Sequence, residues 1–347
     1  MSARARGFAS DNQAGVHPAV LEAIAAANEG HAASYGHDGW TERLEDRFRE
    51  HFGPAAQAFP VFNGTGANVL SLRAACRPWE AAICAETAHL NVDEGGAPEA
   101  IGGVKLLCVP GVDGKLTPEL IAAPATARRG DEHQVQARVV SISQSTELGT
   151  VYGVEEVAAL AEVAHAHGLV LHVDGARLSN AAAALDVPLR ALSTDAGVDI
   201  ISFGGTKNGL LGAEAVVFTG PELAEGFLFL RKQSLQLASK MRFLAAQLEA
   251  LLSDGLYLDL ASHANAMAAR LAAAVKDVNG VTITRPVQAN AVFAIVPPGA
   301  AERLQEQFAF YVWDEESREV RWMCSWDTAP EDVDAFADAV AAVVSRR

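Results

Sequence analysis

Three consecutive segments, ARVVSISQ (residues 137–144), VEEVAALAEVAHAHG (154–168) and LVLHVDGA (169–176), decide the fold of this chain. The first and third are short apolar runs of strand length, whereas the middle segment repeats its apolar residues at the spacing of an α-helix. The glycine that closes the middle segment is common at the end of a helix. A strand, a helix and a second strand in this order indicate a parallel β-sheet covered by helices.

The same alternation extends on both sides of these segments. Five further strands are predicted, which makes a mostly parallel sheet of seven: AFPVFN (58–63), AAICAE (81–86), KLLCVPG (105–111), VDIISFGG (198–205) and AEAVVF (213–218). We also predict one long helix over residues 221–252. Beyond it come short strands and helices, among them VTITRP, NAVFAIV, EVRWMCSW and a closing helix from residue 330. The sequence therefore predicts a large domain over residues 1–252, including an N-terminal arm, and a small α+β domain over 253–347.

The composition argues against several classes of function. A formal net charge of -16 over 347 residues disfavours binding to nucleic acid or to anionic membranes. No apolar run approaches the roughly 18 residues of a membrane span, and MSARARGFASDN lacks the apolar segment of a secretory signal. The 4 cysteines do not have the spacing of a zinc site. We therefore expect reduced thiols, no metal and a cytoplasmic protein.

Charged residues follow the apolar strands at the edge where parallel α/β sheets bind their ligands. Asp174 ends one strand, Arg177 comes three residues later, and Lys207 follows the next strand. The loop NGTGAN (63–68) precedes a helix and could hold a phosphate there. Each feature has a structural alternative: a tight glycine turn for the loop, an Asp–Arg ion pair, and a surface charge for the lysine.

Pyridoxal phosphate requires this combination of groups. Its aldehyde bonds a lysine, its pyridine nitrogen needs a carboxylate to stay protonated, and its phosphate needs N–H donors. An amino-acid substrate needs an arginine for its carboxylate. We therefore predict that Lys207 forms the Schiff base, that Asp174 pairs with the pyridine nitrogen and that Arg177 holds the substrate.

The chain resembles the low-specificity L-threonine aldolases, which are β-eliminating lyases with the aspartate-aminotransferase-like fold (fold type I) of pyridoxal-phosphate enzymes. HVDGARL (172–178) and the strand-end lysine carry the resemblance, which runs from FASDN (8–12) to RWMCSWDT (321–328). It implies retro-aldol cleavage of L-threonine, L-allo-threonine and related β-hydroxy-α-amino acids such as phenylserine to glycine and an aldehyde. It also implies a homotetramer built as a dimer of dimers. Two alternatives remain: β-elimination or transamination on the same fold, and a binding protein without catalysis.

The resemblance implies roles for individual residues. His89, in HLNVDEGGAPE (89–99), would stack on the pyridine ring near Glu94, and His133 would reach the substrate hydroxyl. The base would be His89, or a water that His89 and His133 hold. The remaining implied residues contact the cofactor (Gly64, Thr65, Arg177, Thr206), the substrate (Ser10, Tyr35, Arg177, Arg321) or the phosphate of a neighbouring subunit (Lys232, Arg242). Asn68 matches a family asparagine at the start of the helix that follows the phosphate loop.

Three segments depart from the family's pattern. Thr206 stands where a serine is usual, LASKMRF (237–243) replaces a glycine-rich segment, and SQSTELG (143–149) replaces an ENTHN-like segment. We expect these changes to affect the subunit contact and the preference for the β-substituent rather than the cofactor chemistry.

Overall fold

A sheet of seven strands forms the centre of the chain in a computed structural model, which describes residues 6–345. Its strands are β1 (Gln57–Val61), β2 (Glu80–Ala85), β3 (Lys105–Val109), β4 (Gln136–Ser143), β5 (Val170–Gly175), β6 (Ile200–Gly204) and β7 (Glu214–Phe218). Their spatial order is β1-β7-β6-β5-β4-β2-β3. All neighbours from β3 to β6 are parallel, and β7 is antiparallel to β6 and β1. The predicted fold class and seven-stranded sheet are confirmed.

Helices cover both faces of this sheet. They are α1 (Pro18–Ala27), α2 (Gly39–Phe52), α3 (Gly64–Ala75), α4 (His89–Val92), α5 (Ala97–Ala100), α6 (Pro118–Thr126), α7 (Val154–Ala166), α8 (Leu178–Leu185), α9 (Phe227–Gln233) and α10 (Arg242–Leu252). Successive residues of β6 belong to different apolar clusters, Ile200 to one and Ile201 to the other. A strand turns alternate side chains to opposite faces, so both faces of β6 are buried, which explains its continuous apolar run.

The single helix predicted over residues 221–252 is wrong. The structure has a short 3-10 turn and then two helices, α9 and α10, with residues 234–241 between them. Gly226 and Leu235 adopt left-handed backbone conformations (φ 74° and 63°) that an α-helix excludes. The chain therefore turns twice where its composition favours a helix.

The rest of the chain forms a second, antiparallel sheet with helices. Its strands are β8 (Thr282–Ile283), β9 (Ala291–Ile295), β10 (Tyr311–Asp314) and β11 (Glu319–Met323), and its helices are α11 (Leu256–Val275), α12 (Ala300–Gln305) and α13 (Pro330–Ser345). The strand β10 was not predicted.

The N-terminal arm packs on this second sheet. Phe8 is fully buried in its apolar core, where its ring stacks on Phe336 with centroids 4.4 Å apart. The Phe8 amide donates to the Ala309 carbonyl, and the Phe8 carbonyl accepts from the Met323 amide. This anchoring carries the residues after Phe8 to the carboxyl ends of β5 and β6. Within residues 6–345, no helix is both long and apolar enough to cross a membrane.

Candidate active site

Asp174 lies at the carboxyl end of the central strand β5 and is buried. The parallel register places Asp174 beside Ser143 of β4 and Ser202 of β6. One carboxylate oxygen accepts the Ala176 amide at 3.0 Å, and the other accepts the Asn68 side-chain amide at 2.9 Å. A buried carboxylate needs such donors or a cation, so this position suits a charged partner in the adjoining cavity.

A chain of hydrogen bonds leads from Asp174 to His89. The Asn68 amide nitrogen donates to Asp174 Oδ2 and also, at 2.8 Å, to Glu94 Oε1. The same Glu94 oxygen lies 2.9 Å from His89 Nδ1. The hydrogen bond from Glu94 raises the pKa of His89 above its ordinary value, against the opposing effect of burial. The imidazole is therefore fixed through Nδ1, which leaves Nε2 as its working nitrogen.

Three side chains near the cavity could together hold a metal ion: those of His89, Glu94 and Asp174. Each offers one ligand atom, and these atoms lie within 4.8 Å of one another. The Asn68 amide nitrogen donates to both carboxylates from between them. A cation would meet this donor nitrogen instead of an oxygen ligand. We therefore assign the group to the hydrogen-bond chain, and the absence of a metal stays a prediction.

Lys207 follows β6 in a short 3-10 turn and faces the same cavity. Within residues 6–345, no carboxylate forms an ion pair with its ammonium group. The nearby Arg177 charge and burial together lower the pKa of Lys207 below its ordinary value, which favours the neutral, nucleophilic amine. The buried Glu214 accepts the amides of Gly205 and Thr206 and so fixes the turn before the lysine.

The loop of residues 63–68 begins α3, as predicted. Asn63 is the N-cap and accepts the Gly66 amide at 2.7 Å. Gly64 and Thr65 stand at the helix N-terminus, on the wall of the cavity that contains Lys207 and Asp174. A helix N-terminus attracts anions.

This cavity has a volume of about 410 Å³ and fits pyridoxal phosphate chemically. Its wall brings together the Lys207 amine, the buried carboxylate of Asp174 and a helix N-terminus. The buried atoms Asn68 Oδ1 and Glu94 Oε2 have no hydrogen-bond partner among the described residues, as expected of a site that is completed by a polar ligand. Gly204 is also required here, since a Cβ atom would lie 2.6 Å from the Ala176 backbone.

Arg177 forms a two-point ion pair with Asp11 of the N-terminal arm. Arg177 Nε lies 2.7 Å from Asp11 Oδ2, and Arg177 Nη2 lies 2.9 Å from Asp11 Oδ1. Burial opposes the charge of Asp11, but Arg177 outweighs it and holds the pKa of Asp11 below its ordinary value. Asn290, the residue before β9, donates to Asp11 Oδ2 at 3.1 Å. The arm thus positions the arginine predicted to hold the substrate.

Arg321 lies on β11 and its guanidinium packs against two aromatic rings. It stands 4.9 Å from the Trp313 ring centroid and 5.5 Å from that of Tyr311. Burial and the Arg177 charge lower the pKa of Arg321. Its Nη2 donates to the Ala9 carbonyl at 3.1 Å, while its buried Nε has no partner among the described residues. Neither Arg177 nor Arg321 lines the cavity that contains Lys207; Arg177 follows β5, and Arg321 lies on β11 of the second sheet.

Other predicted residues lie around the site rather than in the cavity. The Ser10 hydroxyl accepts the Asn12 amide at 3.2 Å and borders a different cavity, which lies between the arm and residues 305–309. Tyr35 is 45% exposed, with Lys232 Nζ 5.1 Å from its ring centroid. Arg242 donates to the Gly30 carbonyl at 3.3 Å. Tyr35, Lys232 and Arg242 are not among the described residues that line the cavity.

The structure does not bring His133 to this site, so the prediction is wrong for the chain's own cavity. His133 is exposed on a turn three residues before β4. Eight residues of β4 separate that turn from the carboxyl edge of the sheet, which amounts to about 25 Å at 3.3 Å per residue. Any contact of His133 with substrate would have to occur in the site of another subunit.

Sequence reasoning missed three carboxylates that organise the site: Asp11, Glu147 and Glu214. Asp11 stands inside the quoted motif FASDN, so an acidic residue beside a predicted substrate serine was the available signal. Glu214 opens an apolar strand, where a charge is unusual. Glu147 lies in the divergent segment SQSTELG and had no signal beyond that divergence.

Comparisons with known proteins agree with this geometry. Residues 7–297 match the family model described as beta-eliminating lyase. The chain is 46% identical, over 97% of both chains, to a low specificity L-threonine aldolase of Pseudomonas aeruginosa. It is 44% identical to another from a Pseudomonas species, over 99% of this chain and 100% of the relative.

Solved structures give the same result. A threonine aldolase of Leishmania major superposes with a TM-score of 0.92 at 30% identity and covers 98% of this chain and 99% of its own. Aspartate aminotransferase of Thermus thermophilus, with a TM-score of 0.70 at 18% identity, covers 98% of this chain and 90% of its own and shares the fold. This chain belongs to the low-specificity L-threonine aldolases of the β-eliminating lyase family.

Proposed function

We infer that the chain catalyses the low-specificity L-threonine aldolase reaction, which cleaves a β-hydroxy-α-amino acid to glycine and an aldehyde. The observation that carries this inference is the placement of three groups around one cavity: Lys207, Asp174 and the imidazole of His89. An amine, a carboxylate and a fixed proton acceptor are the groups that this reaction needs when it depends on pyridoxal phosphate.

The cofactor's residues are assigned from their positions in the cavity. Lys207 would bind its aldehyde, Asp174 would pair with its pyridine nitrogen, and Gly64 and Thr65 at the start of α3 would hold its phosphate. When bound, pyridoxal phosphate supplies an electron sink for the bond that breaks. Asp174 keeps that sink effective because a carboxylate beside the ring nitrogen retains a proton there.

Arg177 and Arg321 bind the substrate carboxylate. Asp11 uses Nε and Nη2 of Arg177, so Nη1 remains for substrate. Arg321 adds a second charge-assisted hydrogen bond from the other domain. Two anchors fix the orientation of the substrate, and the orientation decides which of its bonds is cleaved.

His89 receives the proton of the β-hydroxyl, either directly or through a water that it holds. Glu94 fixes Nδ1 and turns Nε2 to the cavity. None of the assigned residues places a charge against the β-substituent, which agrees with loose recognition of that group.

Product analysis tests this function. L-threonine should yield glycine and acetaldehyde, L-phenylserine should yield glycine and benzaldehyde, and 2-aminobutyrate, which lacks the hydroxyl, should yield neither. A keto acid with ammonia in place of glycine would instead establish β-elimination. Exchange of the amino group to an added keto acid would establish transamination.

We also propose that the chain works as a cytoplasmic homotetramer, a dimer of dimers, with domains over residues 1–252 and 253–347. The support for assembly is an exposed apolar surface on and after α9. Its residues Leu228, Phe229 and Leu235 are 56%, 81% and 85% exposed, and exposed apolar surface of this kind marks interaction sites. Light scattering coupled to size exclusion would report the mass, and a monomer at micromolar concentration would contradict the proposal.

Assembly would also give Tyr35, Lys232 and Arg242 a role. They are not among the described residues that line the cavity of their own chain, and two of them are cations, of which Lys232 is exposed and Arg242 is half-buried. Across an interface they would reach the phosphate end of a neighbouring site.

A further inference from the structure

Glu147 stands on a tight loop directly after β4. The loop is closed by hydrogen bonds between Thr146 and Thr150, from backbone to backbone at 2.9 Å and from hydroxyl to hydroxyl at 2.7 Å. Gln144, just before it, is tied to Tyr152 by two further hydrogen bonds. These contacts fix the point from which the Glu147 side chain extends.

The Glu147 carboxyl group reaches the backbone of His89. Its Oε1 accepts the His89 amide at 2.8 Å and the Ser143 hydroxyl at 2.6 Å. His89 is the first residue of α4, and the N-cap residue Ala88 has no side chain that could accept an amide. A helix of one turn is unstable by itself, and its first amides need acceptors. Glu147 supplies the acceptor that the local sequence lacks.

His89 is consequently held at two points. Glu147 fixes its backbone amide, and Glu94 fixes its ring through Nδ1. The two carboxylates lie far apart in sequence, Glu94 between α4 and α5 and Glu147 on the loop after β4. Together they leave Nε2 without a partner among the described residues.

The role of Glu147 depends on accepting hydrogen bonds more than on charge. Both donors use Oε1, while the buried Oε2 has no partner among the described residues. Burial and the nearby Asp174 raise the pKa of Glu147, while the hydrogen bond from Ser143 lowers it. The other charged groups around it are Glu94 beyond His89, and Arg177. The carbonyl oxygen of a neutral carboxyl group can also accept both hydrogen bonds.

We propose that Glu147 is a positioning residue, which sets the place of the His89 imidazole by capping the helix that His89 begins. The proposal rests on the proposed function, because it gives His89 the proton of the substrate hydroxyl. It adds a residue from SQSTELG (143–149), one of the segments in which this chain departs from its family's pattern.

Four variants of the full chain test the proposal. Glu147→Ala removes the acceptor, Glu147→Asp shortens it by one methylene, and Glu147→Gln keeps an oxygen at the same reach. The matched control is Glu156→Ala. Glu156 also accepts a backbone amide at the start of a helix, that of Gly153 at 2.6 Å, but it stands at α7, where it pairs with Lys115.

Two readouts are needed. Kinetics of the loaded enzyme should show kcat lowered about tenfold to a hundredfold in Glu147→Ala and Glu147→Asp, since small misplacements of a catalytic group have effects of this size. Glu147→Gln should stay within about threefold, and Glu156→Ala should keep the original kcat even if it lowers Tm. Titration of the His89 ring by ¹⁵N NMR should show a shifted curve in the first two variants only.

The outcomes separate this proposal from the proposed function. An unchanged kcat and an unchanged His89 titration in Glu147→Asp would overturn the positioning role, and so would a Glu147→Gln variant as damaged as Glu147→Ala. If Glu147→Ala does not fold, Glu147→Asp and Glu147→Gln still decide. Full activity in His89→Asn would remove His89 from the mechanism, whereas the NMR titration would still show whether Glu147 positions it.

Discussion

The two halves of the site are built in different ways. Asp174 and Lys207 stand at the ends of adjacent parallel strands, so the register of the sheet fixes their separation. Arg177 and Arg321 instead depend on contacts between the N-terminal arm, the central sheet and the second sheet, through Asp11 and Ala9. The first half has its geometry as soon as the central sheet forms, whereas the second half exists only when the arm and the second sheet pack against it.

This difference separates chemistry from binding. Groups whose positions must be precise relative to the cofactor lie on the central sheet, which is buried on both faces. The two arginines proposed to hold the substrate follow β5 and lie on β11, so their arrangement depends on how the second sheet packs against the central one. Substitutions in the first half should therefore lower the rate of chemistry, and substitutions in the second should mainly weaken substrate capture.

The largest effect is expected for Lys207→Ala. The variant loses the amine that bonds the cofactor, and kcat should fall at least about a thousandfold, within the range known for loss of a catalytic proton-transfer or nucleophilic group. Borohydride reduction followed by peptide mass spectrometry should locate the cofactor on Lys207 in the parent and on no peptide in the variant. Lys276→Ala, at an exposed lysine after α11, is the control. If Lys207→Ala still forms an imine that borohydride reduces, and still turns over normally, the assignment of Lys207 is wrong.

Asp174→Asn should have the next largest effect. Without the carboxylate the ring nitrogen loses its proton more readily, so kcat should fall by about a hundredfold or more while part of the cofactor is retained. Cofactor content by absorbance and turnover with L-threonine should be measured on the same sample. Turnover close to that of the parent would mean that a group other than Asp174 pairs with the pyridine nitrogen.

A third prediction concerns His172, whose ring connects three strands of the central sheet. Its ring lies 2.9 Å from both the Ser141 and Ser202 hydroxyls, and so links β4, β5 and β6. Burial lowers the pKa of His172 to about 4, so the folded chain keeps it neutral while the unfolded chain protonates near 6.5. Its contribution to stability is present above pH 6.5 and is lost as the pH falls from 6.5 to about 4.

Urea unfolding at pH 7 and pH 4.5 measures this contribution. The parent should lose on the order of 2 kcal/mol more stability between these values than His172→Gln does. His31→Gln, at an exposed histidine, should behave as the parent does. An equal loss in the parent and His172→Gln would mean that His172 is not neutral in the folded chain.

The same difference explains what could be predicted from the sequence. Asp174, Arg177 and Lys207 were found because parallel strands bring their carboxyl ends to one edge, so the position of a residue along its strand fixes its place in the molecule. The fold followed from the same alternation of strands and helices.

No comparable rule predicts the contacts that Asp11 and Ala9 form with the two arginines. Asp11 and Arg177 are 166 residues apart, and no local pattern pairs them. His133 was placed in the site by resemblance alone, and the structure puts it before its strand, not after it. The break in the predicted helix over 221–252 depends in part on Leu235, whose left-handed conformation (φ 63°) its residue type disfavours.

The smallest effect is expected in the second half, at Arg321. Arg321→Ala removes one of two anchors of the substrate carboxylate, and a charge-assisted hydrogen bond contributes roughly 1.5–3 kcal/mol. The value of kcat/KM for L-threonine should therefore fall at least about tenfold. Arg321→Lys should recover only part of the lost kcat/KM, because lysine lacks the planar fork that pairs with a carboxylate.

Arg285→Ala is the matched control. Arg285 also packs on an aromatic ring, with its guanidinium 4.8 Å from the Phe293 centroid, but it pairs with Glu319. If Arg321→Ala and Arg285→Ala both keep the parent's kcat/KM, the substrate carboxylate is held by the large domain alone, and the division of the site between two domains is wrong.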